Sequence, residues 1–294
     1  MVRVASTPDS KRLIINADDF GISPGVNIGI IETVEVGAVT SASLIVNLPA
    51  SADAVSRARP FHNLSLGLHF NLTIGRPLTA TPSLTSNTGE FYTLTVLLAR
   101  ASLGLLEQSD IERECLAQID RMTRAGFPPT HLDSHRHVHI HPAIFSTVVR
   151  AAASRRIPRV RIPCEPLRIN AHDWRATIKK VGLLACARLS VSGKASHAIR
   201  SFGISLHGGQ SFAKRLFALV RQLPPGTNEL IVHPGYADAS LAELDSYTLE
   251  RQTELAVLCS HEFRELLDRE GVTLTDFGHQ HSIVPSEGEL AQHH

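Results

Sequence analysis

The sequence has few cysteines, few aromatic residues and almost no net charge. Its 294 residues include 4 Cys, 1 Trp and 3 Tyr. Four scattered cysteines, none in a Cys-x-x-Cys pair, predict reduced thiols rather than a disulfide framework or a zinc ribbon. Because 29 Lys and Arg offset 28 Asp and Glu to a net charge of +1, nothing in the overall charge favours binding to nucleic acid.

Long hydrophobic runs are also missing. No stretch approaches the roughly 20 apolar residues that a membrane span needs, and the opening MVRVASTPDSKR lacks the apolar run of a signal peptide. We therefore expect a cytoplasmic protein, while a peripheral membrane contact and a homodimer stay open. Hydrophobic residues make up 43% of the chain, which is typical of a globular protein with a sizeable core.

Short β-branched runs alternate along the chain with amphipathic helical segments. Residues 12–16 and 65–70 are typical of buried strands, and residues 111–125 show apolar side chains at helical spacing. A further strand is predicted over residues 159–162, and helices are predicted over residues 174–189 and 247–270. Alternation of this kind predicts a parallel sheet with helical crossovers. At this length the predicted fold is α/β, a single-domain, distorted, TIM-barrel-like (β/α) barrel of about eight strands. A doubly wound open sheet is the alternative.

Two segments depart from this alternation. Residues 71–108 are rich in Gly, Pro, Ser and Thr, and a long stretch of this kind within a compact domain is usually functional. We interpret it as an insertion in a domain that spans residues 1–278. The polar residues 279–294 predict a disordered tail.

Aspartate and histidine residues follow the ends of four predicted strands. Asp18 and Asp19 come after the first strand, His69 ends the third, and His135 and His233 follow two later ones. Taken singly, each has a simpler explanation as a cap or a hydrogen-bonded structural residue. However, the carboxyl ends of parallel strands meet at one rim. A carboxylate and two imidazoles with open positions suit a catalytic divalent metal.

The segment around His135 carries further histidines. His135, His137 and His139 alternate with other residues, so an extended backbone would place all three imidazoles on one face. This pattern also favours metal binding.

Six stretches of the sequence resemble a known family, the YdjC-like carbohydrate deacetylases, which include the chitooligosaccharide deacetylases. They are NADDFGIS (16–23), GVNIGIIE (25–32), GAVTSASLIVN (37–47), GLHFNLTIGRPLTA (67–80), THLDSHRHVHIHPAIF (130–145) and VHPGYAD (232–238). They lie in order over nearly the whole chain. Two later stretches, RVRIPCEPLR (159–168) and LPPGTNELIVHPG (223–235), are more similar to the hopanoid-biosynthesis-associated branch, which implies a sugar attached to a lipid.

The resemblance implies a distorted (β/α) barrel that hydrolyses the acetamide group of an N-acetylated amino sugar. It also implies that Asp19, His69 and His135 hold one divalent metal ion, Mg²⁺ or Zn²⁺. By the same resemblance, Asp18 corresponds to the catalytic base and His233 to the general acid.

Arg161, His137 and Asp238 are further candidates, for binding substrate, and Asp133 and Asp238 are candidates to orientate a neighbouring imidazole. The alternatives are a surface salt bridge for Arg161, packing for His137 and loop capping for Asp133 and Asp238. Two other functions remain open on the sequence alone. One is a different metal-dependent hydrolase on the same barrel, such as a phosphoesterase or an amidohydrolase, which often holds two metals. The other is a non-catalytic sugar-binding protein.

Overall fold

The computed structural model describes residues 10–163, 165, 182, 185, 186, 189, 199–206 and 211–278. Strands and helices alternate along the described chain. The strands are β1 (Lys11–Phe20), β2 (Ser41–Leu44), β3 (Ser65–Phe70), β4 (Leu132–Ser134), β5 (Ile199–Phe202), β6 (Gly226–Val232) and β7 (Val272–Leu274). The α-helices are α1 (Pro24–Glu35), α2 (Ser51–Ala58), α3 (Leu94–Ser102), α4 (Gln108–Arg124), α5 (Pro142–Ser154), α6 (Phe212–Arg221), α7 (Ala239–Leu244), α8 (Leu249–Leu258) and α9 (His261–Arg269). Short 3-10 helices cover Pro82–Leu84 and His135–Ile140.

The strands form one parallel sheet in the order β4-β3-β2-β1-β6-β5. β7 pairs with the first three residues of β1, and β2 pairs with β1 from Asn16 onward. An isolated parallel bridge from Leu132 to Val160 extends the sheet beyond β4. The helices cover this sheet as a half-barrel, which confirms the predicted α/β fold. Within the described residues the two edges of the half-barrel do not pair with each other.

The central strand β1 is buried over eight consecutive residues, as expected for a parallel strand covered on both faces. The next element begins where the sequence predicts. The Ser23 side chain accepts a hydrogen bond from the Val26 backbone N–H, and Pro24 occupies the first turn of α1. The helix ends before Gly37, whose positive φ of 75° suits glycine. These local signals fix how the chain leaves the carboxyl end of β1.

Two predictions of secondary structure differ from the observed elements. The single long helix predicted over 247–270 is wrong, because the chain breaks into α8 and α9 at Ser260, which caps α9 by accepting from the Phe263 N–H. The strand predicted over 159–162 is reduced to the Val160 bridge. The insertion at 71–108 contains α3.

Two further predictions concern parts of the chain outside the described residues. The helix predicted over 174–189 lies almost entirely outside the described residues, and the tail 279–294 lies outside them completely. No described helix is both long enough and apolar enough to cross a membrane.

Candidate active site

Polar side chains line the interior of the half-barrel, one or two from each of the strands β1 to β6. Side chains on a strand alternate between faces, so residues two apart share one face. The buried polar residues at such positions are Asn16 and Asp18 on β1, Ser41 and Ser43 on β2, His69 on β3, Asp133 on β4, Ser201 on β5, and Thr227 and Glu229 on β6. Buried polar groups need partners, and hydrogen bonds within this layer join Asn16 to Asp18 and Ser43, Asp133 to Ser43 and His69, and Ser201 to Glu229. Asn16 Oδ1 is the exception, because it has no hydrogen-bond partner. The side chains of the candidate site are therefore buried and held by hydrogen bonds to neighbouring side chains, away from solvent.

A β-bulge brings both aspartates of β1 to the site. Between Ala17 and Phe20 the register of β1 against β2 shifts by one residue, and Asp19 adopts a left-handed backbone with φ of 68°. Neighbouring strand residues ordinarily point to opposite faces, but a bulge re-aims one of them. Asp18 and Asp19 are therefore adjacent in sequence and both buried at the same end of the strand.

Asp19, His69 and His135 form a buried cluster with the composition of a metal site. The ligating atoms of these three residues all lie within 4.8 Å of one another. Asp19 Oδ1 lies 3.2 Å from His69 Nε2 and 2.8 Å from His135 Nδ1. Donor atoms about 3 Å apart are what an ion with bonds of about 2.1 Å would gather around it. The three residues fit a divalent ion, and the cluster leaves further positions for water or substrate.

Asp133 holds the second ring nitrogen of His69. Its Oδ1 lies 2.7 Å from His69 Nδ1, so this imidazole is orientated with Nε2 toward Asp19. Carboxylates commonly fix metal-binding histidines in this way. Burial alone would lower the pKa of His69, but the carboxylates of Asp133 and Asp18 outweigh it and raise that pKa to about 10. Ion binding at Nε2 must therefore displace a proton from the cluster.

Arg161 is the cation of the interior layer. Its guanidinium donates two hydrogen bonds of 2.8 Å to the Asp18 carboxylate, lies 2.6 Å from Asp133 Oδ2 and donates to Glu229 Oε1 at 2.7 Å. The side chain is completely buried. A solvent-exposed salt bridge is thus the wrong alternative for Arg161, because its three carboxylate partners are buried with it. Contact with substrate stays a prediction.

Ser43 and Asn16 complete the interior network around these carboxylates. Asn16 Nδ2 donates to Asp18 Oδ1 at 2.8 Å and to Ser43 Oγ at 2.9 Å. Ser43 in turn donates to Asp133 Oδ2 at 2.7 Å. Asp18 and Asp133 therefore have fixed orientations, and each has a neutral donor as well as the shared arginine.

His233 follows β6 directly beside Asp18. The register pairs Ala17 with Val232, so the next residues along the two strands are Asp18 and His233. Its backbone N–H donates to Glu254 Oε2 at 2.6 Å, and its ring meets the Tyr247 ring edge-on at 5.9 Å between centroids. The strand register thus delivers an imidazole and a carboxylate to neighbouring strand ends, as the sequence predicts.

The other histidines of the 130–141 region have different surroundings. The extended conformation predicted for 135–139 is wrong, because Arg136 and His137 both have left-handed backbones and a kinked 3-10 segment replaces the strand. His139 is fixed by Ser134 Oγ and the Arg161 carbonyl at 2.6 and 2.8 Å, and burial lowers its pKa to about 4. These contacts are structural. His137 is buried, and a role in substrate binding stays a prediction.

Asp238 has the contacts of a helix cap. Its carboxylate accepts hydrogen bonds from the backbone N–H groups of Leu241 at 2.8 Å and Gly25 at 2.6 Å. It therefore caps α7 and ties the loop after β6 to the start of α1. These contacts match the capping alternative, and none of the observed contacts tests binding of substrate.

Asp133 contacts the ring of His69, as expected of a carboxylate that orientates an imidazole. Three other residues that contact the candidate site are not among those predicted from the sequence: Glu229 lies on β6, and Arg251 and Glu254 lie on α8. Polar residues two positions apart within an otherwise apolar strand are a signal for Glu229. For the other two the local sequence carries no signal, since Arg251 and Glu254 resemble the surface charges of any helix until the fold buries them.

Comparison with known proteins shows the family of this chain. The family model described as YdjC-like protein matches residues 12–269. The chain belongs to the YdjC-like family. A carbohydrate deacetylase of Geobacillus stearothermophilus is 37% identical to this YdjC-like chain over 265 residues, which cover 90% of the chain and 96% of the relative. A chitooligosaccharide deacetylase of Yersinia pestis (strain Pestoides F) is 35% identical over 271 residues, covering 91% and 98%.

A solved structure supports the fold of this YdjC-like protein. A protein of Enterococcus faecalis V583 described as a putative cellobiose-phosphate cleavage protein superposes with a TM-score of 0.72 at 25% identity. The superposition covers 92% of this chain and 98% of that protein. The family resemblance drawn from the six sequence stretches is therefore confirmed.

Proposed function

We propose that this YdjC-like protein is a metal-dependent deacetylase that hydrolyses the N-acetyl group of an N-acetylated amino sugar. The observation that carries the proposal is the buried cluster of Asp19, His69 and His135, with Asp18 and His233 at adjacent strand ends. Relatives named as carbohydrate and chitooligosaccharide deacetylases support the same reaction. Hydrolysis of an acetamide requires an activated water, a stabilised oxyanion and a protonated leaving amine.

Asp19, His69 and His135 would hold one divalent ion, either Mg²⁺ or Zn²⁺. Two imidazoles and one carboxylate suit Zn²⁺, whereas Mg²⁺ prefers oxygen ligands. When bound, the ion supplies a Lewis acid for the acetyl carbonyl and lowers the pKa of water. The positive φ at Asp19 and the Asp133 contact to His69 favour a site with fixed ligand directions.

Asp18 would act as the general base and His233 as the general acid. Asp18 accepts the proton of the attacking water while that oxygen bonds to the acetyl carbon. His233 donates a proton to the sugar nitrogen as the carbon–nitrogen bond breaks, so the products are acetate and a free amino sugar. Arg161 keeps the Asp18 carboxylate orientated throughout, through its two hydrogen bonds of 2.8 Å.

A two-metal phosphoesterase is less well supported by the contacts. Asp18, His69 and Asp133 also lie close enough to form a metal-binding group. However, Arg161 already pairs with both of its carboxylates, and His69 is shared with the first group. A second ion would have to displace the buried guanidinium from two of its three carboxylate partners, which would leave Arg161 paired with Glu229 alone.

The substrate could carry its N-acetyl sugar either in a free oligosaccharide or on a lipid. The 71–108 insertion is anchored to α4, because Glu114 accepts hydrogen bonds from the Leu78 and Thr79 N–H groups at 2.9 to 3.0 Å. We propose that this anchored insertion, together with residues 161–200, selects between a free oligosaccharide and a lipid-linked glycan. Most of the second segment lies outside the described residues.

Release of acetate from a panel of N-acetyl sugars tests the function. The purified protein would be stripped of metal, reloaded with Zn²⁺ or Mg²⁺, and offered free diacetylchitobiose and an N-acetylglucosaminyl lipid. We expect acetate from at least one substrate and only with metal present. Preference for diacetylchitobiose would contradict a lipid-linked substrate. Absence of acetate from the whole panel, in protein shown to hold metal, would contradict the deacetylase assignment.

A further inference from the structure

Arg251 is a buried cation that contacts a candidate metal ligand from outside the cluster. Its Nη2 donates to Asp19 Oδ2 at 2.7 Å and to Asp245 Oδ2 at 3.0 Å, and its Nε donates to the Tyr247 carbonyl at 2.7 Å. The side chain is completely buried. Three anchoring contacts leave the guanidinium one orientation relative to Asp19.

Because of this contact, the two carboxylate oxygens of Asp19 have different partners. Oδ2 is taken by Arg251, whereas Oδ1 lies 3.2 Å from His69 Nε2 and 2.8 Å from His135 Nδ1. A carboxylate whose second oxygen is held by a guanidinium presents a single oxygen to an ion. The number of positions left for water and substrate is therefore larger than with a carboxylate that binds through both oxygens.

The backbone conformation of Asp19 requires contacts that keep this residue in place, and Arg251 supplies one of them. A non-glycine residue at φ of 68° is in a sparsely populated conformation that the surroundings must maintain. A positive charge next to a cation site also opposes ion binding by Coulomb repulsion. A buried arginine at this place thus weakens ion binding by its charge, and must strengthen it by orientation if the cluster is to be a good site.

We propose that Arg251 is a positioning residue that holds Asp19 as a ligand through one oxygen, and that it strengthens metal binding in spite of its charge. The inference rests on the proposed function only in taking Asp19, His69 and His135 as the metal site. Arg251 acts through Asp19 and has no contact with substrate in this role. Its anchor on Asp245 and Tyr247 makes the segment before α8 part of the metal site.

Metal titration of the stripped protein tests the proposal without any assay of activity. Zn²⁺ affinity would be measured by calorimetry for the wild type, Arg251→Met and Arg155→Met. Arg155 is a matched control, since its guanidinium pairs with Asp120 at 2.7 Å on the surface, away from the cluster. Loss of a residue that orientates a ligand usually weakens binding about 10- to 100-fold. We expect this loss for Arg251→Met and wild-type affinity for Arg155→Met.

The visible spectrum of the Co²⁺-loaded protein gives a second readout, because it responds to the number and geometry of ligands. We expect the Arg251→Met spectrum to differ from that of the wild type, whereas the Arg155→Met spectrum matches it. Equal or tighter Zn²⁺ binding by Arg251→Met would overturn the proposal, since the arginine would then act only as an opposing charge. A wild type that binds no ion would instead contradict the proposed metal site itself.

Asp245→Asn covers the case in which Arg251→Met does not fold. Asp245 anchors Arg251 from a position that is 14% exposed, so its replacement should leave the fold intact, as checked by circular dichroism. We expect a loss of Zn²⁺ affinity in the same direction, smaller than the roughly 10- to 100-fold loss expected for Arg251→Met. Unchanged affinity in a folded Asp245→Asn protein would also overturn the proposal.

Discussion

Asp18 and Asp19 are neighbours in sequence, and both are buried, yet their surroundings move their pKa values in opposite directions. Burial raises the pKa of Asp18 and outweighs the attraction of Arg161, which Asp18 shares with Asp133. Burial also opposes ionisation of Asp19, but Arg251 and His135 overcome it and hold the pKa well below its usual value. Where environments separate two neighbouring carboxyl groups in this way, they are suited to different chemical roles.

The difference lies in how cations are shared. Asp18 belongs to a group in which three carboxylates, those of Asp18, Asp133 and Glu229, surround the guanidinium of Arg161. The guanidinium of Arg251, by contrast, forms ion pairs with two carboxylates, those of Asp19 and Asp245. The first arrangement leaves a carboxyl group able to exchange a proton. The second keeps a carboxylate ionised, which is what a metal ligand requires.

The largest effect should come from Asp19→Asn. Replacing one carboxylate oxygen by an amide nitrogen removes the negative charge that faces His69 and His135. We expect loss of bound metal and of activity, with the fold retained. Elemental analysis of the purified protein measures the metal content, and His62→Ala, at an exposed histidine, serves as the control. Full metal content in Asp19→Asn would exclude it as a ligand.

Asp18→Asn should separate the two roles. The variant should keep its metal but lose about a hundred- to ten-thousand-fold in turnover, because an amide cannot take the proton of water. Metal content and kcat measured on the same preparation decide the matter. If Asp18→Asn loses the metal while Asp19→Asn keeps it, the roles of the two aspartates are reversed.

Arg161→Met should lower the stability of the interior network. The substitution leaves Asp18, Asp133 and Glu229 buried without their cation, and removal of one partner from a buried ion pair costs about 3–5 kcal/mol. Arg155→Met is the surface counterpart and should cost less than about 1 kcal/mol, because that pair is 40% and 36% exposed. Urea unfolding of both variants gives the comparison. Equal small losses would mean that the network contributes no more than a surface pair.

The aspartates and histidines of the site could be predicted from the sequence more readily than the contacts of the two buried arginines. Asp18, Asp19, His69 and His135 stand at strand ends, and the alternation of strands and helices is enough to bring strand ends together. The two arginines are harder to predict. Arg161 lies in a short extended segment that is typical of an edge strand, and Arg251 lies on a helix far along the chain. Their roles depend on side-chain packing across the half-barrel, which local periodicity does not encode.

Local conformation at the site was the other part beyond prediction. The bulge at Asp19 and the left-handed turn at Arg136 and His137 both break the periodic patterns on which sequence reasoning depends. Such departures are expected at functional sites, where local preference gives way to a required side-chain direction.

Glu254 contacts the proposed general acid His233 and provides the last test, which concerns the pH dependence of stability. Burial raises its pKa to about 7, against the hydrogen bonds from the His233 backbone N–H and Tyr247 and the charge of Arg251. Asp19 adds to the rise. The folded state therefore holds this proton more tightly than the unfolded chain, in which the pKa is near 4.5. Its contribution to stability is full below pH 4.5 and falls as the pH rises to about 7.

Glu254→Gln removes this titration while keeping the shape of the side chain. Between pH 4.5 and about 7, the free energy of unfolding of the wild type should fall relative to that of Glu254→Gln, by on the order of 3 kcal/mol. Urea unfolding in the presence of a chelator measures the difference at each pH. Glu250→Gln, at an exposed position of the same helix, should follow the wild type. Parallel pH profiles for the wild type and Glu254→Gln would show that Glu254 does not hold its proton in the folded state, and that His233 is anchored by a carboxylate that stays ionised.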